Sequence, residues 1–247
     1  IVITDGYAGG QAVVEYFRGL LLTLKGSSSE AMSASVKWDG APAIFCGIDP
    51  VDSKFFVGTK AVFGKTEQKA AKTNAEIDNW YPGEGLNKKL KIALEHLSKI
   101  GIQNVLQGDM MFTDDSIEEK EIGGEAHLTF TPNTITYAVP EQSELANKID
   151  TAKVGIIFHT TYNGENLADM TASGGADITN FSQSNDVFFD NASYKDVSGS
   201  AKFTDDETKM FLNELDKLES LLTNVPRNIS NLFGANQDFV PFFQMYI

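Results

Sequence analysis

The chain is expected to be an α+β protein, with mixed, mainly antiparallel sheets flanked by helices. Three observations lead there. Two segments, 86–100 and 204–225, carry apolar residues at helical spacing. Several short apolar runs between them are bounded by turn residues, as strands are. The 247 residues are 42% hydrophobic and 11% aromatic, enough for a substantial core.

The elements follow in order. Val13, Phe17, Leu20, Leu21 and Leu24 share one face of a helix over 11–25, and the small polar run KGSSSEAMSA ends it. From 35 to 60 the pattern changes to strands. SVKW and PAIFCGI flank an Asp-Gly turn, and KFFVGT follows the turn-forming DPVDS. Residues 61–85 are polar and mixed. Leu86, Leu90, Ala93, Leu97 and Ile100 mark a helix that Gly101 stops. NVLQGDMMF (104–112) reads as a buried strand, DDSIEEKEIGGE as a solvated acidic loop. AHLTFTP and TITYAVP read as a strand pair turning at Pro132-Asn133, and VGIIFHTTY (154–162) as another buried strand. Residues 163–200 show little regularity. Thr204 and Glu207 form a capping box for a helix with Phe211, Leu215, Leu218, Leu222 and Val225 on its apolar face. There is no internal repeat. The expected division is a domain over 1–203 and a helical segment over 204–247.

Charge and cysteine count narrow the function classes. Thirty-four acidic residues against 20 basic ones give a net charge of −14, whose far field repels nucleic acid. A nucleic-acid partner therefore needs a local basic groove, which Lys54, Lys60 and Lys65 would supply. The single Cys46 rules out an intrachain disulfide and is most simply a buried apolar residue. No run reaches the roughly 20 apolar residues of a membrane helix, so no membrane partner is expected. Neither a GxxxxGK[ST] phosphate loop nor a Cys-x-x-Cys zinc pattern is present.

Lys37-Trp38-Asp39-Gly40 poses the functional question, because a lysine here stands before a tight turn inside an apolar stretch. The spacing Lys-x-Asp-Gly alone arises by chance in about one chain of this length in twenty. Its context is richer. Lys60 ends the next strand, and Asp109 interrupts an apolar strand where a carboxylate is costly without a partner. Tyr137 is an aromatic near a turn. His96 is expected on the exposed side of its helix. His127 and His159 lie too far apart in sequence to read as a metal pair, and 159–162 suits either a pocket wall or a core position.

Lys37-Trp38-Asp39-Gly40 resembles the nucleotide-accepting motif of the covalent nucleotidyltransferases: ATP-dependent DNA ligases, RNA ligases and mRNA capping enzymes. The longer runs KWDGAPAIFCG, FFVGTK, VLQGDMMFT and FHTTYNG resemble ligase-like proteins of tailed phages, over about 35–205. The resemblance implies a ligase-type adenylyltransferase (ATP-grasp-like nucleotidyltransferase) fold and an ATP-dependent polynucleotide ligase. Lys37 would form lysyl-AMP and pass AMP to a 5′-phosphate end, in the cytoplasm of an infected bacterium. ATP and Mg²⁺ would be required. Nucleic-acid ends, RNA more than DNA, would be the partner.

Within that resemblance, Lys37, Asp39 and Gly40 form the catalytic motif. Lys37, Lys60, Asp109 and Tyr137 line the nucleotide pocket, with Asp109 toward the ribose and Tyr137 stacked on the purine. The metal ligands are unassigned. Ala41-Pro42 stands where DNA ligases carry an arginine, which is closer to the RNA-ligase branch. Asp109 stands in place of a glutamate. A Glu-Gly-hydrophobic-Val motif and a phosphate-contacting lysine strand are not found, Lys153 and Lys202 being the candidates for the second. With no initial Met and an apolar ending FVPFFQMYI, the chain is expected to be part of a longer product carrying both. Two other readings stay open: a degenerate ligase fold that binds nucleotide or nucleic-acid ends or acts as a phage scaffold, and adenylyl transfer to another target.

The chemistry sets demands on the site. A lysine attacks phosphorus only as the neutral amine, and its unperturbed pKa is about 10.4. Partial burial at a pocket mouth and a nearby Mg²⁺ would both lower it. Asp39 is expected to orient the turn or to bind a water or metal. Gly40 is expected to permit close backbone approach.

Overall fold

The computed structural model describes residues 2–25, 35–193 and 203–226. In chain order the elements are α1 (Val2–Leu24), β1 (Ala43–Ile48), β2 (Phe55–Gly58), α2 (Asn74–Trp80), α3 (Glu84–Leu97), β3 (Val105–Thr113), β4 (Glu118–Ile122), β5 (Glu125–Phe130), β6 (Tyr137–Pro140), α4 (Glu144–Thr151), β7 (Val154–Asn163), β8 (Thr171–Gly174), β9 (Val187–Asn191) and α5 (Asp205–Asn224). The α+β class with mainly antiparallel sheets holds. The chain divides into one compact unit of 34–194 and another of 1–33 with 195–247.

The larger unit is built on a six-stranded sheet ordered β2-β1-β3-β7-β8, with β9 pairing β7 in parallel. The other pairings in this sheet are antiparallel. Alternation along the strands splits their side chains between two faces. Ile44, Cys46, Leu106, Met110, Ile156 and Phe158 join one core cluster with Leu90, Ala93 and Leu97 of α3. These three helix residues are at 0% exposure, because their 3–4-residue spacing puts them on one stripe. Gly101, at φ +80°, turns the chain out of the helix end. Phe45, Phe56 and Val105 point the other way, against Val62 and Leu167.

A second sheet, β4-β5-β6, packs through Leu128, Phe130 and Val139 on Met111, Phe112 and Ile157, with Ala146 and Ile149 of α4. The expected strand pair is β5–β6, with Phe130 opposite Tyr137. The acidic loop, however, contains β4, whose five residues are all exposed. Gly123 and Gly124, at φ +64° and +87°, close the tight hairpin that pairs β4 with β5. The polar stretch 61–85 hides α2, started by a capping box between Thr73 and Glu76.

In the smaller unit α1 meets α5. Gly6, at φ 58°, interrupts α1, and the helix expected over 11–25 is its C-terminal part, ending at Leu24. Gly10 faces Leu222, Phe17 meets Phe211 edge-on at 6.1 Å, and Arg18 reaches Glu219 at 2.6 Å. Thr204 and Glu207 form the expected capping box. Leu215 is buried, whereas Val225 lies past the helix end and is exposed.

Candidate functional site

Residues 36–42 form a loop entering β1, and each part of it is tied to a different element. At its start, Val36 N–H donates to the Ala192 carbonyl at 2.8 Å. At its end, Ala41 N–H donates to the Met110 carbonyl at 2.9 Å, and Met110 N–H donates to Pro42 at 3.1 Å. The Trp38 ring packs on Tyr137, with centroids 5.5 Å apart. Of residues 37–40, Lys37 is exposed while Trp38, Asp39 and Gly40 are half-buried. The expected half-desolvated lysine is therefore not seen. The amine has no partner among the described residues and is carried on an anchored loop.

Asp39 is the staple of this loop. Its Oδ1 accepts from Asn133 Nδ2 at 2.9 Å. Its Oδ2 accepts from Thr134 N–H at 2.8 Å, Thr134 Oγ1 at 2.6 Å and Ile135 N–H at 2.9 Å. These bonds favour the ionised form and hold the carboxyl well below the usual carboxylate range, the Thr134 hydroxyl contributing most. Of the two expected roles, orienting the turn is the one this geometry serves. The 133–135 turn supplies three donors to Oδ2 and one to Oδ1.

Gly40 sits against β3. A Cβ added there would lie 2.5 Å from Asp109 Cβ and 3.0 Å from both the Met110 carbonyl and Met111 Sδ. Only glycine lets the loop approach β3 this closely. The lysine motif and Asp109 are thereby brought together. Ala43 is also the register partner of Asp109.

Asp109 shares its sheet face with His159, which occupies a bulge of β7 between the partners of Gly108 and Gln107. His159 Nε2 lies 3.6 Å from Asp109 Oδ1, and its Nδ1 lies 2.8 Å from Thr160 Oγ1. The Asp109 side chain is 21% exposed and accepts no hydrogen bond from any described residue. Beside it, Tyr162 OH donates to Gln107 Oε1 at 2.9 Å. A half-buried carboxylate with His159 as its neighbour keeps lone pairs accessible to water or to a ligand. The Trp38 indole N–H is buried without an acceptor among the described residues. Such a donor costs about 1–3 kcal/mol.

Lys60 begins a 3₁₀ turn, Lys60–Phe63, capped by Thr59, and is exposed. It follows Gly58, the partner of Phe45, by two residues, and Ala43 precedes Phe45 by two. Lys60 and the Lys37 loop therefore leave the sheet at the same end. Tyr137 is placed differently. It stacks on Phe130 at 5.5 Å and 17°, packs on Trp38, and accepts the Asp39 N–H at 2.9 Å through its hydroxyl. These contacts make it a support of the loop. Lys153 pairs with Asp114 at 2.9 Å, and Lys202 lies outside the described residues. His96 is not exposed as expected: its side chain is 12% accessible, with Nδ1 at 3.4 Å from Asp186.

Among the described residues, no three His, Cys, Asp or Glu side chains gather as a metal site. A Mg²⁺ carried by phosphates needs only one or two carboxylates, and Asp109 is the site carboxylate with free lone pairs. A cavity of about 590 Å³ lies elsewhere in the larger unit, lined by Lys148, Phe181, Phe188 and Phe189 among others, and takes in none of the sequence-predicted residues.

A family model covers residues 1–246. The chain belongs to DUF6267, a family of unknown function. No curated protein and no solved structure matches it. Membership in DUF6267 thus spans both units and assigns no activity to the site. No helix among the described residues is long and apolar enough to cross a membrane.

Proposed function

We propose that the chain is an ATP-dependent nucleotidyltransferase of the covalent ligase type, acting on nucleic-acid ends, RNA more than DNA. The observation that carries this reading is the packing of Gly40 on Asp109, three residues after an exposed Lys37. It joins KWDGAPAIFCG and VLQGDMMFT, two of the runs that resemble the ligase-like proteins.

The residues have separate tasks in this reading. Asp39 fixes the loop through the 133–135 turn, so that Lys37 is presented from a rigid base. Lys37 Nζ gives up a proton to solvent and attacks the α-phosphorus. The N–P bond forms, the P–O bond to pyrophosphate breaks, and pyrophosphate leaves. Because Lys37 is exposed, desolvation of its amine comes with the bound nucleotide. Asp109 offers an acceptor to the nucleotide, or a carboxylate to its metal. Mg²⁺, when bound, would neutralise phosphate charge during transfer. The 5′-phosphate of the acceptor then breaks the N–P bond, and a 3′-hydroxyl displaces AMP.

The test is incubation with α-labelled ATP and Mg²⁺, followed by denaturing electrophoresis, beside Lys37→Ala. A label that survives denaturation and disappears in the variant supports the reading. Folded wild-type protein that binds ATP yet acquires no label with ATP or GTP would refute it and leave a nucleotide-binding protein without turnover.

A further inference from the structure

Nine of the 16 described lysines face a carboxylate within 4 Å. Lys72 Nζ lies 2.7 Å from both Asp49 and Asp52, Lys91 2.5 Å from Asp78, and Lys88 2.5 Å from Asp115. Lys99, Lys120 and Lys153 also face carboxylates. Lys89 stands in the same stretch of α3 as Lys88 and Lys91 but points elsewhere. It is half-buried, and its Nζ donates to the Ala41 carbonyl at 3.1 Å. No described carboxylate pairs with it. An ammonium has three donors, so the carbonyl leaves two unused.

The position of this cation matters more than its isolation. Ala41 follows directly on the Lys37–Gly40 motif and is clamped to β3 through Met110. Lys60 leaves the sheet at the same end, two residues past the partner of Phe45. Neither Lys37 nor Lys60 has an ion-pair partner among the described residues. Lys60 and Lys89 thus stand at the end of the sheet where β1 begins, and Lys37 lies on the loop that leads into that end from Ala192, beside β9. The carboxylates there do not cancel them. Asp39 is spent on the 133–135 turn, and Asp109 faces His159. In a chain of net charge −14, such a concentration of unpaired cations calls for a polyanion.

We infer that Lys89 is a phosphate-binding residue of this site, which with Lys37 and Lys60 holds a linear polyphosphate such as the triphosphate of a nucleotide. The inference extends the nucleotidyltransferase reading, but its test does not depend on turnover. Binding of ATP, adenosine and inorganic tripolyphosphate to the full chain is measured by calorimetry for wild type, Lys89→Gln and Lys89→Arg. Glutamine keeps a donor for the Ala41 carbonyl without the charge, and thermal melts establish that each variant is folded.

The expected result is that Lys89→Gln weakens ATP and tripolyphosphate about tenfold, the loss of one charge-assisted contact. Adenosine should be unaffected, and Lys89→Arg should retain most of the affinity. Equal tripolyphosphate affinity in wild type and Lys89→Gln overturns the inference, as does equal loss for adenosine, which would mean that Lys89 only positions the loop. Wild-type protein that binds no tripolyphosphate overturns it too. Tripolyphosphate binding that depends on Lys89, in protein that forms no lysyl-AMP, keeps the anion site and sinks the nucleotidyl-transfer reading alone.

Discussion

Gly40→Ala is the perturbation that the site geometry constrains most tightly. The new methyl would stand 2.5 Å from Asp109 Cβ, 3.0 Å from the Met110 carbonyl and 3.0 Å from Met111 Sδ. Met111 Sδ can swing aside, but the other two atoms belong to the backbone or its first carbon on a central strand. The loop itself must therefore lift. Ala41 N–H to Met110 and Met110 N–H to Pro42 would stretch with it. Overpacking of this kind costs about 1–3 kcal/mol. In a chain of 247 residues, each kcal/mol is worth about 2–4 °C of melting temperature, so a middle value of about 2 kcal/mol lowers it by about 4–8 °C. Differential scanning calorimetry reads the shift. Gly85→Ala is the control. It lies inside α3 with nothing within 4 Å of its added methyl, and should be neutral or stabilise by about 0.5–1 kcal/mol. A Gly40→Ala protein that melts within a degree of wild type would refute the close packing of the lysine motif on β3.

Further outcomes follow from individual groups. Asp39 has its carboxyl depressed by the 133–135 hydrogen bonds, so its contribution to stability is present above the ordinary carboxylate value of about 3.9 and fades as pH falls toward the lower native value. Asp39→Asn should therefore narrow the melting-temperature gap to wild type as the solution is acidified below about pH 4, and a gap that widens there would contradict the staple. Cys46 is fully buried, and burial pushes its thiol far up. It should resist a thiol reagent in the native protein and react once denatured, so rapid native labelling would misplace β1. Leu90→Ala should cost about 2–5 kcal/mol, since the side chain is at 0% exposure in the main core. A loss below about 1 kcal/mol in urea titration would argue against α3 lying on the sheet.

The parts of the fold written in local periodicity were legible. Leu90, Ala93 and Leu97 announced α3, and Thr204 with Glu207 announced α5, because a helix stripe and a capping box are both spelled within a few residues. The Thr73–Glu76 box offered the same signal for α2, but the seven-residue helix has too short an apolar pattern to stand out. The strand β4 escaped notice because all its side chains are exposed. Its pairing rests on backbone bonds and on the Gly123-Gly124 turn.

The site divided in the same way. That Asp39 orients its turn or binds a water or metal, and that Gly40 allows close approach, are what residue type at a tight turn suggests. Which partners they meet, the 133–135 turn and Asp109, depends on contacts across about 70–95 residues that no local pattern encodes. Tyr137 carries the right chemistry to stack on a base, but its face is already taken by Trp38 and Phe130. His159 reaches Asp109 through a bulge in β7 that alternation cannot foresee. Nothing in the local sequence separates Lys89 from its helix neighbours. Only the position of Ala41 at its tip sets it apart from Lys88 and Lys91.

The central claim is that Lys37, on its stapled loop, is a nucleotide-accepting nucleophile. The most direct measurement is intact-mass and peptide-mapping mass spectrometry of the full chain after incubation with ATP and Mg²⁺. The account predicts a single AMP adduct, confined to the peptide containing Lys37, removed by added pyrophosphate and not transferred to Lys60 or Lys89 when Lys37 is replaced by arginine. Folded, nucleotide-free protein that gains no adduct, or an adduct on a different residue, would contradict it.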